Sequence, residues 1–578
     1  RWDTAVNRVE GIEVSNPTTH PEDQPQRLIS YEYDPYGQLI RVINSGEGAL
    51  QYHYDDHGRI YGWTDRNGVS YYYRFDEFGR VQAQVGTGGM FPNILYWADD
   101  HGEDAPVGGQ VCVLIETAGE FQGDPLALGE SVVKNYFDRL QQLPLYQALI
   151  EGGLKGAGLT GCGRTAARDD ECWTVPEAWL HDELLGDIRP TVYRSTPAGD
   201  VWRLITPEGG VEDTTHNQYH QKTSITNVAG ATTAYTYNAD GVLVATDQDG
   251  LRSYIEAGTW GQPVRIVDTD GQVTECEVDA FGMTQSITDP TGAVTSYAYD
   301  LRSSGIVAAS ATYPDGTTED IDSDDAGRIC AVTDAAGRRT SFTRDVRGLV
   351  VESIDPIGES KTIEYSPEGW PTAITHPDGT TITVLYDGEG NRIATTNEIG
   401  ATTTTDYTVF DKPIAITDAT GATTHLEYNT QMQPVRVTNA DGNTWSYIYD
   451  LDGMPASEVD YNNIATTYTI SADGLVTTLT TPAGTTTHTR HADGRTDTIT
   501  DALGTTRCFY TDTKRVARIE GPQATIDYTR DTYGRVTAET VTLPSGEATT
   551  HEFSYAHAGH ITEQHLTLPL GGTFTTGY

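Results

Sequence analysis

The 578-residue sequence predicts an all-β chain, a spiralling sheet of β-hairpin repeats that forms a hollow shell or barrel, with one α-containing insertion. Three observations predict it. Turn glycines recur at a fixed step of 21 residues. A second series of turns, opened by an aromatic-Asp pair, interleaves with the first. The runs between turns are rich in Thr, Val, Ile and Tyr and alternate in polarity, which is the period of a strand.

The glycine series is plainest at Gly316, Gly337, Gly358, Gly379, Gly400, Gly421 and Gly442. The next place holds Asn463, and Asn is the residue that best replaces Gly where φ is positive. The series resumes at Gly484 and Gly504, and upstream it runs through Gly210, Gly230, Gly250, Gly271 and Gly292. The aromatic-Asp series begins with "YDPYG" (Tyr33 to Gly37), "YDDHG" (Tyr54 to Gly58) and "FDEFG" (Phe75 to Gly79). It returns as "VDAFG" ending at Gly282, "RDVRG" at Gly348, "YDGEG" at Gly390, "YDLDG" at Gly453 and "RDTYG" at Gly534. A degenerate copy, "YNTQM", ends at Met432. The Asp of D-x-x-G can accept bonds from the amides of its own turn, and the Gly closes that turn. Each unit is therefore a hairpin feeding the next.

These signals divide the chain into a leading segment (1–27), repeats (28–85), an inserted mixed α/β domain (86–192) and further repeats (193–578). Within the insertion the spacing of Val133, Tyr136, Phe137, Leu140 and Leu143 predicts a helix that Pro144 kinks or stops. Residues Glu177 to Ile188 read as a second short helix. The period predicts about 42 strands, hence about 200 Å of sheet at about 4.8 Å per strand. Closed into one turn, that sheet would measure about 60 Å across. Side chains cannot fill such a ring, and Thr runs such as Ala401 to Tyr407 supply no apolar stripe for a narrow solenoid.

Composition excludes several functions. With 83 Asp and Glu against 37 Lys and Arg, a formal charge of −46, the surface repels nucleic acid and anionic membranes and suits a basic polypeptide. No apolar run is long enough for a transmembrane helix, so this segment is not expected to insert in a membrane. The first residues, "RWDTAV", lack the marks of an export signal, and the last, "GGTFTTGY", read as part of a repeat. A central piece of a longer polypeptide is expected. Cys162 and Cys172 could pair in an oxidising compartment or remain free thiols.

The interleaved Y-D-x-x-G-x-L and T-D-x-x-G signatures resemble the Rhs/YD-repeat family, over residues 28–85 and 193–578. That family includes bacterial polymorphic toxins, the B and C components of insecticidal toxin complexes, wall-associated proteins and teneurins. The resemblance implies a non-enzymatic shell of a secreted or cell-surface bacterial protein. Such a shell encapsulates a C-terminal toxin domain, or another cargo polypeptide, and helps to deliver it to competing or host cells, with secretion machinery as a further partner the resemblance implies. The alternative within the same resemblance is a surface adhesion or glycan-binding protein, with Trp63, Trp260, Trp370 and Trp445 as candidate sugar-stacking residues. An enzyme in the insertion is the third reading. Many bacterial members cleave themselves beside a D-P-x-G-L motif. Here "DPTG" (Asp289 to Gly292) and "DPIG" (Asp355 to Gly358) lack the Leu and read as ordinary turns, so the protease and toxin segments are expected elsewhere.

No catalytic, cofactor-binding or metal residue is expected. His181, Asp182 and Glu183 could suggest a metal site and read better as a solvated helix start. Asp55-Asp56 and Asp324-Asp325 could suggest glycoside hydrolysis, but they sit where turns need Asp. "DIDSDDAG" (Asp320 to Gly327) is the nearest approach to a Ca²⁺ loop.

Overall fold

A computed structural model describes residues 2–3, 8–15, 25–101, 105–119, 130–159, 175–183, 185–302, 305–471, 473–556, 560–569 and 571–577. One antiparallel sheet of 47 strands runs through it, from Gly11–Val14 to Thr573–Gly577. Each strand pairs with its neighbour in sequence, so the sheet is a single meandering ribbon. The strands His181–Asp182 and Gly186–Ser195 make one irregularity. The first is a two-residue spur on the second, which itself pairs across to Gln110–Ala118. Among the described residues no ladder joins the first strand to the last, so the ribbon is open at both ends.

The repeat chemistry accounts for the ribbon. In "YDGEG" the Asp387 amide donates to Asn391 O at 3.0 Å and the Gly390 amide to Asp387 O at 3.3 Å. Asp387 Oδ1 accepts the amides of Glu389 and Asn391. The tyrosine before the Asp has a separate task. Tyr386 donates its hydroxyl to Pro371 O, the first carbonyl of the preceding strand, at 2.9 Å. Tyr54, Tyr237, Tyr299, Tyr365, Tyr428 and Tyr449 bond the same way, each to the residue 15 places earlier. The ring shields the sheet face and the hydroxyl ties the end of the adjacent strand.

The glycine pattern needs small corrections. The positive-φ residue near 210 is Gly209, not Gly210. Gly484 and Gly504 close tight turns in which Thr481 faces Gly484 and Asp501 faces Gly504. Asn463 does stand in for Gly, with φ 64°.

Where the period lapses, the sheet does not. Asn93–Asp99, Gln110–Ala118 and Gly186–Ser195 are strands of the same ribbon, which is one reason the strand count exceeds that read from the period. Helix α1 (Glu130–Leu140) and helix α2 (Pro144–Gly156) lie against it, with Pro144 in the first turn of α2, where its missing N–H costs nothing. Tyr136, Phe137, Leu140, Leu143, Leu145, Tyr146 and Leu149 pack on Ala83, Val85, Ile94, Val113, Ile115 and Ile188, the main dry core of the molecule. The helix expected over 177–188 is not formed. Only Glu177–Trp179 makes a single 3₁₀ turn, and the chain then enters the strand Gly186–Ser195. Gly186 has φ 71° and lies against the backbone of Gly119, a close approach that no side chain permits. Ile188 is buried from the sheet, so its apolar spacing served a strand.

Candidate functional site: the stacked turns and the faces they present

The ribbon coils so that its own edges meet. Ser45 Oγ donates to Pro367 O, 322 residues away, at 2.6 Å. The Arg66 amide and guanidinium donate to Glu389 at 2.6 and 3.0 Å. Asp452 accepts the Glu208 amide at 2.8 Å and the Thr206 hydroxyl at 3.1 Å. Arg515 pairs with Asp270, and Lys514 with Asp249 at 3.1 Å. Each contact joins a T-D-x-x-G-type turn to an aromatic-Asp-type turn 23 to 25 strands further along the ladder. The separation is odd, so the contacts join opposite edges of the ribbon: the lower edge of one coil sits on the upper edge of the next.

This stagger revises the size expected from the period. A coil of about 23 strands at about 4.8 Å has a circumference of about 110 Å and a backbone diameter of about 35 Å. The ribbon makes about two stacked coils rather than one wide ring. Local twist and the aromatic-side bulges, one at nearly every aromatic-Asp turn, tighten the curvature.

At one place the seam is apolar. Val69, Met90, Val409 and Met432 are buried together, with Phe91, Phe410 and Tyr428 around them. The Thr430 amide donates to Gly119 O at 2.9 Å, and the Phe91 amide to Thr430 O at 2.7 Å. The degenerate "YNTQM" copy therefore is a docking point between coils.

The two faces of the sheet differ. In the strand Thr381–Tyr386, Ile382, Val384 and Tyr386 share the more buried face, and Thr383 and Leu385 are exposed on the other. The same alternation holds in Ser360–Tyr365 and Thr423–Tyr428. On the more exposed face an acid recurs just before the motif residue: Glu32, Glu256, Glu277, Asp322, Glu364, Asp406 and Glu427. Arg41, Arg265 and Arg436 stand opposite Glu32, Glu256 and Glu427 and pair with them. Glu364 and Asp406 face Ala373 and Ala415 instead. Tyr72 and Arg74 on this face meet the helices, Arg74 lying 4.5 Å over the Phe137 ring, so α1 and α2 cover it there.

The singled-out residues fall as follows. Asp55 and Asp324 cap their turns and pair with Arg59 and Arg328. Backbone donation from Arg59 is the main force holding the Asp55 carboxyl below the usual range. Burial pushes Asp324 up, and donation from the Arg328 amide and guanidinium outweighs it. Asp289 and Asp355 accept amides of ordinary turns. His181 meets Asp187 at 3.2 Å, Asp182 pairs with Arg139, and Glu183 is exposed. Asp322 pairs with Arg339 rather than with its acidic neighbours. Among the described residues there is no group of three His, Cys, Asp or Glu that could hold a metal ion. Cys162 and Cys172 lie outside the described residues. Trp63 stacks on Tyr71, Trp370 packs on Tyr386, and Trp445 on Tyr447 and Tyr461, all half-buried, whereas Trp260 is exposed.

Comparison with known proteins agrees with this geometry. The RHS Repeat family model matches residues 278–318, 324–360 and 365–402, three units in tandem. The chain carries RHS repeats. The chain is 31% identical over 123 residues to Double-stranded DNA deaminase toxin A of Burkholderia cenocepacia (strain H111), a match over 21% of this chain and 8% of that protein. In structure the RHS-repeat chain is similar to the crystal structure of TcdB2-TccC3-TEV, with a TM-score of 0.66 and 12% identity over 98% of this chain and 36% of that one. That likeness shows the fold. The chain spans about a third of that structure and under a tenth of the curated relative. Among the described residues no helix is long and apolar enough to cross a membrane.

Proposed function

We propose that this chain is the shell of a secreted or cell-surface bacterial toxin protein, and that its coils enclose a polypeptide cargo, a C-terminal toxin domain, for delivery to a competing or host cell. The observation that carries the reading is the two-coil stack of a single-layer sheet. A backbone ring of about 35 Å leaves about 20 Å between opposing side chains, room for a compact or unfolded chain and too wide for side chains to fill. The formal charge of −46 favours a basic cargo. The similarity over part of the chain to a protein named as a toxin, and the fold shared with TcdB2-TccC3-TEV, support the same reading. In this reading the segment 86–192 supplies strands of the shell itself and two helices that dock on one part of its sheet.

The test is protection. A small basic reporter polypeptide fused after Tyr578 is expected to resist protease until the shell is denatured. Cleavage at the rate of the free reporter would refute enclosure. The adhesion reading rests on Trp260 alone among the four tryptophans, since the other three are packed.

A further inference from the structure

The tyrosine that ties a hairpin to the strand before it is missing from two successive units. Before the turn 196–199 its place holds Ser195, and before the turn 217–220 it holds His216. The register fixes what is lost. Tyr365 stands opposite Pro371, and Tyr386 of the next unit bonds to Pro371 O. Ser195 stands opposite Val201 in the same way, so a tyrosine at 216 would reach Val201 O. The His216 imidazole is too short for that reach, which the longer Arg344 and Arg530 make in their own units.

A cleft of about 780 Å³ lies at this place. Trp202, Thr214 and His216 share its sheet face, as Thr372, Val384 and Tyr386 do in the intact unit. Asp200 and His220, bonded to each other at 2.8 Å, close its turn end. One wall is unlike that of other units. The residue after the acceptor carbonyl is Thr372, Ile414 or Val435 beneath intact tyrosines. It is Val244, Val264 or Ala309 where Ala257, Val278 and Ser323 take the tyrosine's place. Here it is Trp202. Arg203 and Arg194 lie 4.9 and 5.9 Å from its ring centre, and they pair in turn with Asp213 and Asp100. The indole is thus held as a fixed, flat wall.

We propose that this cleft takes the tyrosine side chain of a partner polypeptide, which supplies from outside the ring that these units have dropped. The chain's own repeats define the chemistry: a ring against the sheet face, with its hydroxyl donating to the first carbonyl of the preceding strand. Contact with Trp202 adds an aromatic pair that the intact units lack. The formal charge of −46 selects a tyrosine flanked by basic residues. The site stands whether or not the shell encloses a cargo.

The experiment is binding of acetyl-Lys-Tyr-Lys-amide to the 578-residue chain, read by saturation-transfer NMR. Saturable binding is expected, roughly fivefold weaker for the phenylalanine peptide, which lacks one hydrogen bond, and absent for the alanine peptide. His216→Tyr restores the ring from within. It is expected to abolish binding of the tyrosine peptide and to raise the melting temperature. Trp202→Thr, which gives the wall the residue of the Tyr386 unit, is expected to weaken binding roughly fivefold. Unchanged circular dichroism establishes that both variants fold. An unaltered chain that does not bind the tyrosine peptide overturns the proposal, as it would if the cleft took a sugar. So does equal binding of the three peptides, or unchanged binding by either variant. A His216→Tyr variant that melts lower than the parent overturns it as well, because the space is then not the shape of the missing ring.

Discussion

Asp65 caps a turn at the seam, accepting the amides of Asn67 and Val69. Burial, then the nearby charges of Glu389 and Asp411, raises its carboxyl from 3.8 to about 6. The folded chain therefore holds this proton more tightly than the unfolded one. Stability from this group is greatest below about pH 4 and is lost as pH rises through about 6. A shift of this size corresponds to about 3 kcal/mol if fully expressed. Asp65 is half-buried, and solvent screening reduces the effect to about 1 kcal/mol. Asn caps equivalent turns here, as Asn227 does for Ala231 and Asn439 for Asn443. Asp65→Asn should thus keep the turn and remove the charge. The variant should slow hydrogen exchange across residues 64–70 at neutral pH, by roughly fivefold for about 1 kcal/mol, and match the parent near pH 4. Faster exchange at neutral pH, or an effect independent of pH, would show that the Asp65 charge does not strain the seam.

Removing the Tyr386 hydroxyl by Tyr386→Phe should cost about 1 kcal/mol, read as earlier opening of residues 371–386 in hydrogen exchange. Gly379→Ala meets open space and should cost about 1–2 kcal/mol from its φ of +82° alone. Gly86→Ala should cost more in a thermal melt, because the added carbon meets the Phe410 ring across the seam. Glu389→Ala removes both bonds to Arg66 and should raise protease nicking near residues 66 and 389, with turns away from the seam unchanged.

The repeat was legible because its chemistry is local. Asp, Gly and Tyr act within a turn or on the adjacent strand, so a fixed step of 21 residues betrays them. Some turns escape the glycine count because His220, Asp411, Met432 and Lys514 hold the left-handed place without being glycine. Others escape the tyrosine count. Arg344 donates to Ile329 O and Gly348 O, and Arg530 to Val516 O and Gly534 O, which is why "RDVRG" and "RDTYG" serve as well as "YDGEG". A long side chain with a terminal donor is what the place requires. The seam was not legible. Its partners are 244 to 323 residues apart, and nothing local distinguishes Glu389, which reaches Arg66, from an exposed turn acid. The width of the shell was misjudged for the same reason, since the number of strands per coil is set by those contacts. The strand at Gly186–Ser195 was missed because buried strand and short helix present the same apolar residues.

A density map of the whole chain would show whether the molecule is a hollow stack of two coils. Two stacked tiers of about 23 strands each, a backbone ring of about 35 Å and an unfilled lumen are expected. A single ring of about 60 Å, or a narrow solenoid with no lumen, would contradict the two-coil stack.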